Sequence, residues 1–280
     1  MRSYYEKCGG SAPLNTIVMA GSHDAGITSG ADNVKTQTLD IGEQARAGVR
    51  LFDLRIAAFA KGNAGGGKQI EMRAYHADGL AKKQELKYRY VKELGRNEIL
   101  ERSKLRAGAY GETLGKMLMQ AGTFVATHPT EFLILKFDKC YNEPLIAEAC
   151  VTLLPGLLYT GGGNLNLKTL EELKGRVIVV FSASGLAAIG NAYGAADGIM
   201  GIKNCNAAGE SYTNGYDGLQ YFGKGGTSLM GVSPVSENRK KQSGLMSGGA
   251  QSLNSSPEAM GMMYWTSTGL VGSIKKRNKK

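Results

Sequence analysis

A chain of 280 residues and 29.8 kDa is more than one small core needs and barely enough for two ordinary domains. An α/β barrel of about 250 residues counts as one domain. Hydrophobic residues at 42%, charged residues at 21% and a mean hydropathy of −0.22 exclude a disordered chain. The net charge of +10 points to an anionic partner, either nucleic acid or a membrane surface.

Taken along the chain, apolar runs predict buried strands at Thr16–Met19, Val49–Ile56, Glu131–Phe137, Arg176–Phe181 and Met262–Trp265. Near-continuous hydrophobicity without alternation belongs to strands covered on both faces, hence to a parallel sheet. Helical patterns separate them at Gln37–Ala47, Leu114–Val125, Leu145–Leu154 and, as a single turn, Leu170–Leu173. That alternation predicts an α/β fold with crossover connections. From Gly185 to Pro257 the chain is rich in Gly, Ser and Asn, so loops are expected to replace regular crossovers there. Glycine, 40 residues in all, has no G-x-y period, which excludes collagen and predicts many turns and close backbone approaches. With no internal repeat and no long linker, residues 1–280 are expected to form one domain.

The charge is local. Residues 82–106 hold nine Lys/Arg against four Glu, a net of +5, and the tail KKRNKK at 275–280 adds another +5, leaving the rest neutral. The first patch reads equally well as a solvated helix face, and the tail as a disordered terminus. Cys8, Cys140, Cys150 and Cys205 have no C-x-x-C or metal spacing. MRSYYEKCGGSAPL lacks the apolar segment of a signal peptide, and no apolar run approaches the ~18 residues of a membrane span. Any meeting with a membrane is therefore expected from outside the bilayer.

Three histidines carry most of the chemical interest. His23, in MAGSHDAG, follows a strand within a glycine-bracketed loop, and His76, in RAYHADG, is expected to follow another. His128, in THPTEFLIL, precedes a strand. In a parallel barrel, function collects at the carboxyl ends of strands, so position favours His23 and His76. Each also has a bland reading as a satisfied structural side chain. Strand periodicity puts Asp53 and Arg55 on one face of GVRLFDLRI and Phe52 and Leu54 on the other. A carboxylate and a guanidinium on a buried face form a structural ion pair, or else an anion site in which Asp aims Arg at phosphate. Two imidazoles and a guanidinium suffice for metal-free phosphodiester cleavage. One imidazole takes the proton of the attacking hydroxyl, the other protonates the leaving oxygen, and Arg neutralises charge on phosphorus.

PLNTIVMAGSHDAG, EQARAGVRLFDLRI, YHADG, GETLGKMLMQAGTFVATHPTEFLILKFD and LKTLEELKGRVIVVF, in that order over 11–182, resemble the catalytic X region of phosphatidylinositol-specific phospholipase C. The resemblance implies a distorted TIM barrel. It also implies cleavage of phosphatidylinositol, or a glycosylated inositol lipid, to diacylglycerol and a cyclic inositol phosphate. His23 falls on the general base, His76 on the general acid and Arg55 on the arginine that stabilises the transition state. Asp24 falls on the carboxylate that orients the acid histidine, and Asp53 on a second supporting carboxylate. Calcium-dependent members resemble one another in having Asn after the first His and Glu-x-Asp on the second strand, oxygen ligands that calcium requires. Here those places read Asp24 and Asp53-x-Arg55, which resembles the metal-independent bacterial type and implies no cofactor.

Departures mark the headgroup contacts. Asp138 stands where bacterial members have a substrate-contacting basic residue, for which Lys136 of the same strand is the expected substitute. Ser182 stands near their fifth-strand arginine, while Tyr216 and Asp217 resemble their substrate-stacking segment. MMYWTSTG resembles the seventh strand. The eighth strand, with the Asp that orients the base histidine, has no counterpart, so the expectation is that the chain is a fragment, or that the barrel is open there, or that another carboxylate serves His23. The expected partners are an inositol phospholipid and an anionic membrane surface, with no nucleic acid, for a monomer that is secreted or delivered into a host cell. Alternatives are another phospholipid headgroup, a catalytically weak lipid-binding module, and a cytoplasmic location.

Overall fold

Seven parallel strands closed into a barrel form the centre of the computed structural model, which describes residues 4–30, 35–62, 68–77, 88–91, 96–101, 108–205, 210–224 and 260–264. In chain order the elements are α1 (Tyr4–Cys8), β1 (Val18–Ser22), α2 (Ile41–Arg46), β2 (Leu51–Leu54), β3 (Ile56–Gly62), β4 (Lys68–Ala77), β5 (Tyr88–Val91), β6 (Arg96–Glu101) and β7 (Gly108–Thr113). They continue with α3 (Leu114–Thr127), β8 (Leu133–Phe137), α4 (Glu143–Leu153), α5 (Leu170–Leu173), β9 (Val177–Phe181), α6 (Ala183–Ile189), β10 (Ile199–Asn204), β11 (Gly218–Lys224) and β12 (Met260–Tyr264). Barrel order is β1-β12-β11-β10-β9-β8-β2, and β2 returns to β1 through Gly21↔Leu51 and Ser22↔Phe52.

Strand alternation sorts the core into two layers. Leu51, Ile134, Ile178, Val180, Met200, Ile202, Leu219 and Tyr221 point inward and fill the barrel. Their neighbours Phe52, Leu54, Leu133, Leu135, Phe137, Val177, Val179 and Phe181 point outward and pack under the helices. Both sets are apolar, which is why the strands read as continuous hydrophobic runs. The helices start where the sequence supplies caps. The Asp40 side chain accepts from the Glu43 N–H while the Asp40 N–H donates to the Glu43 carboxylate at the head of α2, and Thr113 accepts from the Lys116 N–H at the head of α3.

The distorted TIM barrel is therefore present, with seven barrel strands among the described residues. β12 pairs directly with β1 from Val18↔Gly261 to Gly21↔Tyr264, so the ring closes without a last strand between them. Among the described residues, no helix is long and apolar enough to cross a membrane.

Two expectations are corrected, and one stretch holds strands that were not expected. The run Val49–Ile56 is not one strand. Barrel strand β2 ends at Leu54, and after Arg55 the chain enters β3, which belongs to a second sheet of order β5-β6-β3-β4-β7. The basic segment 82–106 is not a helix face, because antiparallel strands β5 and β6 run through it. Its side chains, like the tail 275–280, lie outside the described residues. The Gly-rich second half holds two barrel strands, β10 and β11, that no long apolar run announces. Gly201 interrupts the first, and a buried Gln220, bonded to Asn166, interrupts the second.

Candidate active site

All seven barrel strands deliver their carboxyl ends to one mouth, and the chemistry-bearing side chains gather there. His23 is the first residue after β1. Its loop is pinned by the Ala25 N–H to Asp53 O (2.9 Å), by the Thr36 hydroxyl to Asp24 O (2.7 Å) and by the Gln37 side chain to His23 O (3.3 Å). β7 also approaches this loop closely. The Glu112 N–H donates to Gly26 O, and a Cβ on Gly111 would stand 2.0 Å from that same oxygen. Asp24 sits at φ +46, a left-handed conformation that Asp tolerates better than most residues.

Asp53 lies on the inward face of β2, in register with Lys136 on the inward face of β8. Arg55 is the residue between β2 and β3. His76 is on β4, one residue from its end, so it reaches the mouth from the second sheet and not from a barrel strand. His76 Nδ1–H donates to Asp24 Oδ2 at 2.6 Å, and Arg55 Nε lies 3.0 Å from Asp24 Oδ1. His23 Nδ1–H donates to Asp53 Oδ2 at 2.6 Å, and Lys136 Nζ donates to Asp53 Oδ1 at 2.9 Å. His23 Nε2 lies 3.5 Å from an Arg55 terminal nitrogen and 3.4 Å from Asp24 Oδ2. Both imidazoles are thus held through Nδ1, and His23 Nε2 faces the Arg55 guanidinium. His23 and Arg55 keep side-chain exposures of 21% and 18%, while Asp24 is fully covered, so of this trio the mouth presents the imidazole and the guanidinium.

Burial opposes ionisation of Asp24 and Asp53, but the neighbouring cations outweigh it. The His23, His76 and Arg55 groups hold the Asp24 carboxyl below its ordinary range, and Lys136 and His23 do so for Asp53. Burial also opposes charge on His23, yet Asp24 and Asp53 lift its pKa above the ordinary imidazole value. Arg55 is likewise kept charged against burial by Asp24 and Asp53.

His23, Asp24 and Asp53 offer ligand atoms that all lie within 4.8 Å of one another. Three of the four carboxylate oxygens accept hydrogen bonds from His76, His23 and Lys136, and the fourth, the buried Asp24 Oδ1, is ion-paired with Arg55 Nε at 3.0 Å without a hydrogen bond. A divalent ion would have to displace a guanidinium or an ammonium, so this donor set suits fixed cations better than a metal.

Sequence reasoning brought His23, Asp24, Asp53, Arg55 and His76 together correctly. It left the orienting carboxylate of His23 open, and the geometry gives Asp53. The signal was present in strand parity, which puts Asp53 and Lys136 on inward faces. Lys136 is buried beneath the mouth on Asp53, 5.7 Å over the Tyr221 ring, and Asp138 stands at the rim with Oδ2 3.7 Å from Lys136 Nζ. Tyr216 and Asp217 are corrected: they precede Gly218, the first residue of β11, at the amino end of the barrel, opposite the mouth. There Asp217 Oδ1 accepts from the Gly163 N–H at 2.6 Å, a loop-fixing contact. His128 stacks on Phe124 at the end of α3 with ring centroids 4.4 Å apart, which is the structural role.

Among solved structures, one of a phosphatidylinositol-specific phospholipase C from Staphylococcus aureus matches 98% of this chain and 81% of its own, at 17% identity and a TM-score of 0.53. A second from the same organism, a F249X mutant, matches at 22% identity over 64% of this chain and a TM-score of 0.43. In that match this chain spans about half, 52%, of the other protein's length. The corresponding phospholipase C of Listeria monocytogenes matches at 15% identity over 95% of this chain and 79% of its own, with a TM-score of 0.47. The first likeness establishes a common fold. No protein-family model and no curated protein sequence matches the chain.

Proposed function

We propose that the chain is a phospholipase C-type phosphodiesterase that cleaves phosphatidylinositol, or a glycosylated inositol lipid, to diacylglycerol and a cyclic inositol phosphate. The observation that carries this reading is the pair of carboxylate-held imidazoles flanking Arg55 at the barrel mouth. In the neutral form His23 keeps its Nδ1 proton on Asp53 and takes the proton of the inositol 2-hydroxyl on Nε2. The hydroxyl oxygen then attacks phosphorus. His76, protonated and held by Asp24, gives its Nε2 proton to the departing diacylglycerol oxygen, and the P–O bond to glycerol breaks. Arg55 offsets the growing charge on the phosphoryl oxygens, a preorganised contribution in a water-poor site. No metal is required, because the positive charge is supplied by Arg55. As part of the same proposal the protein acts peripherally at an anionic membrane surface, secreted or delivered into a host cell.

A second reading keeps the chemistry and changes the headgroup. Asp138 is an acidic residue at the rim, and Ser182, which caps α6, carries no charge, so the rim is less cationic than a phosphate-recognising one would be. The test is turnover of a headgroup panel (phosphatidylinositol, its glycosylated form, phosphatidylcholine, phosphatidylglycerol) in mixed vesicles. Phosphatidylinositol is expected to be the preferred substrate, with His23→Ala and His76→Ala each reduced 10²–10⁴-fold. Wild-type rates in both variants on every lipid would overturn the enzymatic reading, and preference for another headgroup would replace the first reading by the second.

A further inference from the structure

We propose that Lys136 is a positioning residue, which clamps Asp53 so that a carboxylate from β2 orients the base histidine in a barrel that closes without an eighth strand. The inference rests on the reading of His23 as general base.

The closure itself raises the question. β1, which delivers His23, has two neighbours, and one of them is β12, joined to it over four residue pairs. The other is β2, joined through Gly21↔Leu51 and Ser22↔Phe52. Extending that register by one residue sets Asp53 level with His23, and the next pairing across the ring sets Asp53 level with Lys136. Parity then turns both Asp53 and Lys136 into the barrel, because Leu51 and Ile134, two residues earlier on the same strands, are inward. Three side chains from three adjacent strands therefore meet in a row: His23, Asp53, Lys136.

Both ends of the Asp53 carboxylate are used. Oδ2 holds the His23 ring and Oδ1 holds the ammonium, so the carboxylate plane is fixed from two sides and the imidazole with it. At 6% exposure Lys136 is too deep to meet a headgroup in the mouth without leaving Asp53. Tyr221 on β11 lies beneath the ammonium and blocks its retreat. The charged groups around His23 are Asp24 of its own loop, Asp53 and Arg55 from and after β2, His76 through Asp24, and Lys136 and Asp138 from β8 and its end. Of these, Arg55 opposes charge on His23 directly, and Lys136 acts through Asp53, whose charge it shares with the imidazole.

The test compares Lys136→Met, Lys136→Gln and Lys136→Arg. The first removes the clamp, the second keeps an N–H for Oδ1 without charge, and the third keeps the charge. His23 is titrated by NMR of labelled histidine without substrate, so the result stands whether or not the catalytic reading survives. Removing the ammonium leaves Asp53 charge for His23 alone. The His23 titration is therefore expected at higher pH in Lys136→Met and Lys136→Gln and near the wild-type position in Lys136→Arg. In turnover, kcat at neutral pH is expected to fall about tenfold or more, to recover as pH rises, and to leave KM within about twofold. An unmoved His23 titration in both neutral variants overturns the proposal. So does a KM increase with kcat unchanged, which would make Lys136 a substrate-binding residue. If His23→Ala keeps full activity while the titration shifts as expected, the clamp stands and the general-base reading fails.

Discussion

At the scale of single residues, the balance of burial against neighbouring charge sets the pH behaviour. Burial disfavours a charged His23, but Asp24 and Asp53 outweigh it and raise its pKa. The working base is the neutral form, so kcat/KM is expected to rise with pH through an acid limb lying above the ordinary imidazole value. In Asp53→Asn the limb is expected at lower pH, with a smaller maximum. A pH–rate profile of both proteins checks this. Stability runs the other way for the two kinds of group. A raised His23 contributes stability below its unfolded-state pKa and loses it as pH rises through the folded value. Depressed Asp24 and Asp53 contribute above the unfolded carboxylate pKa and lose it as pH falls. Urea midpoints against pH are therefore expected to fall on the acid side more steeply in the wild type than in Asp53→Asn. The His23 loop also depends on a missing side chain. Gly111→Ala, whose Cβ would meet Gly26 O, is expected to lower both Tm and kcat. Gly115→Ala on α3 meets only Leu153 at 3.9 Å and is expected to be neutral or slightly stabilising, by up to about 1 kcal/mol.

At the scale of elements, the two ends of the barrel do different work. Arg50 and Glu131 stand just before β2 and β8, at the end away from the mouth. Their ion pair is nearly dry, with Arg50 Nη2 2.7 Å from Glu131 Oε1, and the guanidinium also donates to Ala45 O and Val49 O. Removing one partner of such a pair leaves a buried charge alone, at a cost of about 3–5 kcal/mol. Glu131→Leu is expected to lose stability on that order in urea denaturation while the folded fraction keeps its kcat, since nothing at the mouth touches the pair. The barrel strands that sequence reasoning found are those whose inward and outward faces are both apolar, such as Leu133–Phe137 and Val177–Phe181. It missed β10, β11 and the second sheet apart from the strand expected at His76, because a Gly or a bonded Gln breaks the apolar run and strands open to solvent carry residues such as Glu71 and Arg73. The end of β2 at Leu54 was equally hidden. Parity through Asp53 and Arg55 was legible, but the departure of β3 into another sheet depends on antiparallel pairing with the next strand, β4, and on Tyr141, which is distant in sequence. The candidate cluster was legible for the opposite reason. Its histidines are scarce in this chain and its charged residues stand on or beside apolar strands, so they were singled out despite errors in the surrounding elements. Tyr216 and Asp217 failed because a short motif does not say which end of a strand it occupies.

At the scale of the whole molecule, the net charge of +10 divides into two patches on a neutral body, and the lipid-cleaving reading gives them a purpose. Basic groups near an anionic bilayer contribute on the order of 1 kcal/mol each and are screened by salt. Affinity for phosphatidylserine-containing vesicles, measured by co-sedimentation, is expected to fall as ionic strength rises and to fall further when residues 275–280 are removed. The proposed function makes one central claim, phosphodiester cleavage by His23, His76 and Arg55 without a metal. The most direct measurement is 31P NMR of phosphatidylinositol vesicles incubated with the protein in excess chelator. The account predicts the cyclic inositol phosphate resonance at the rate seen without chelator, and its loss in His23→Ala and His76→Ala. Abolition of the signal by chelator, or product formation that survives both substitutions, would contradict it.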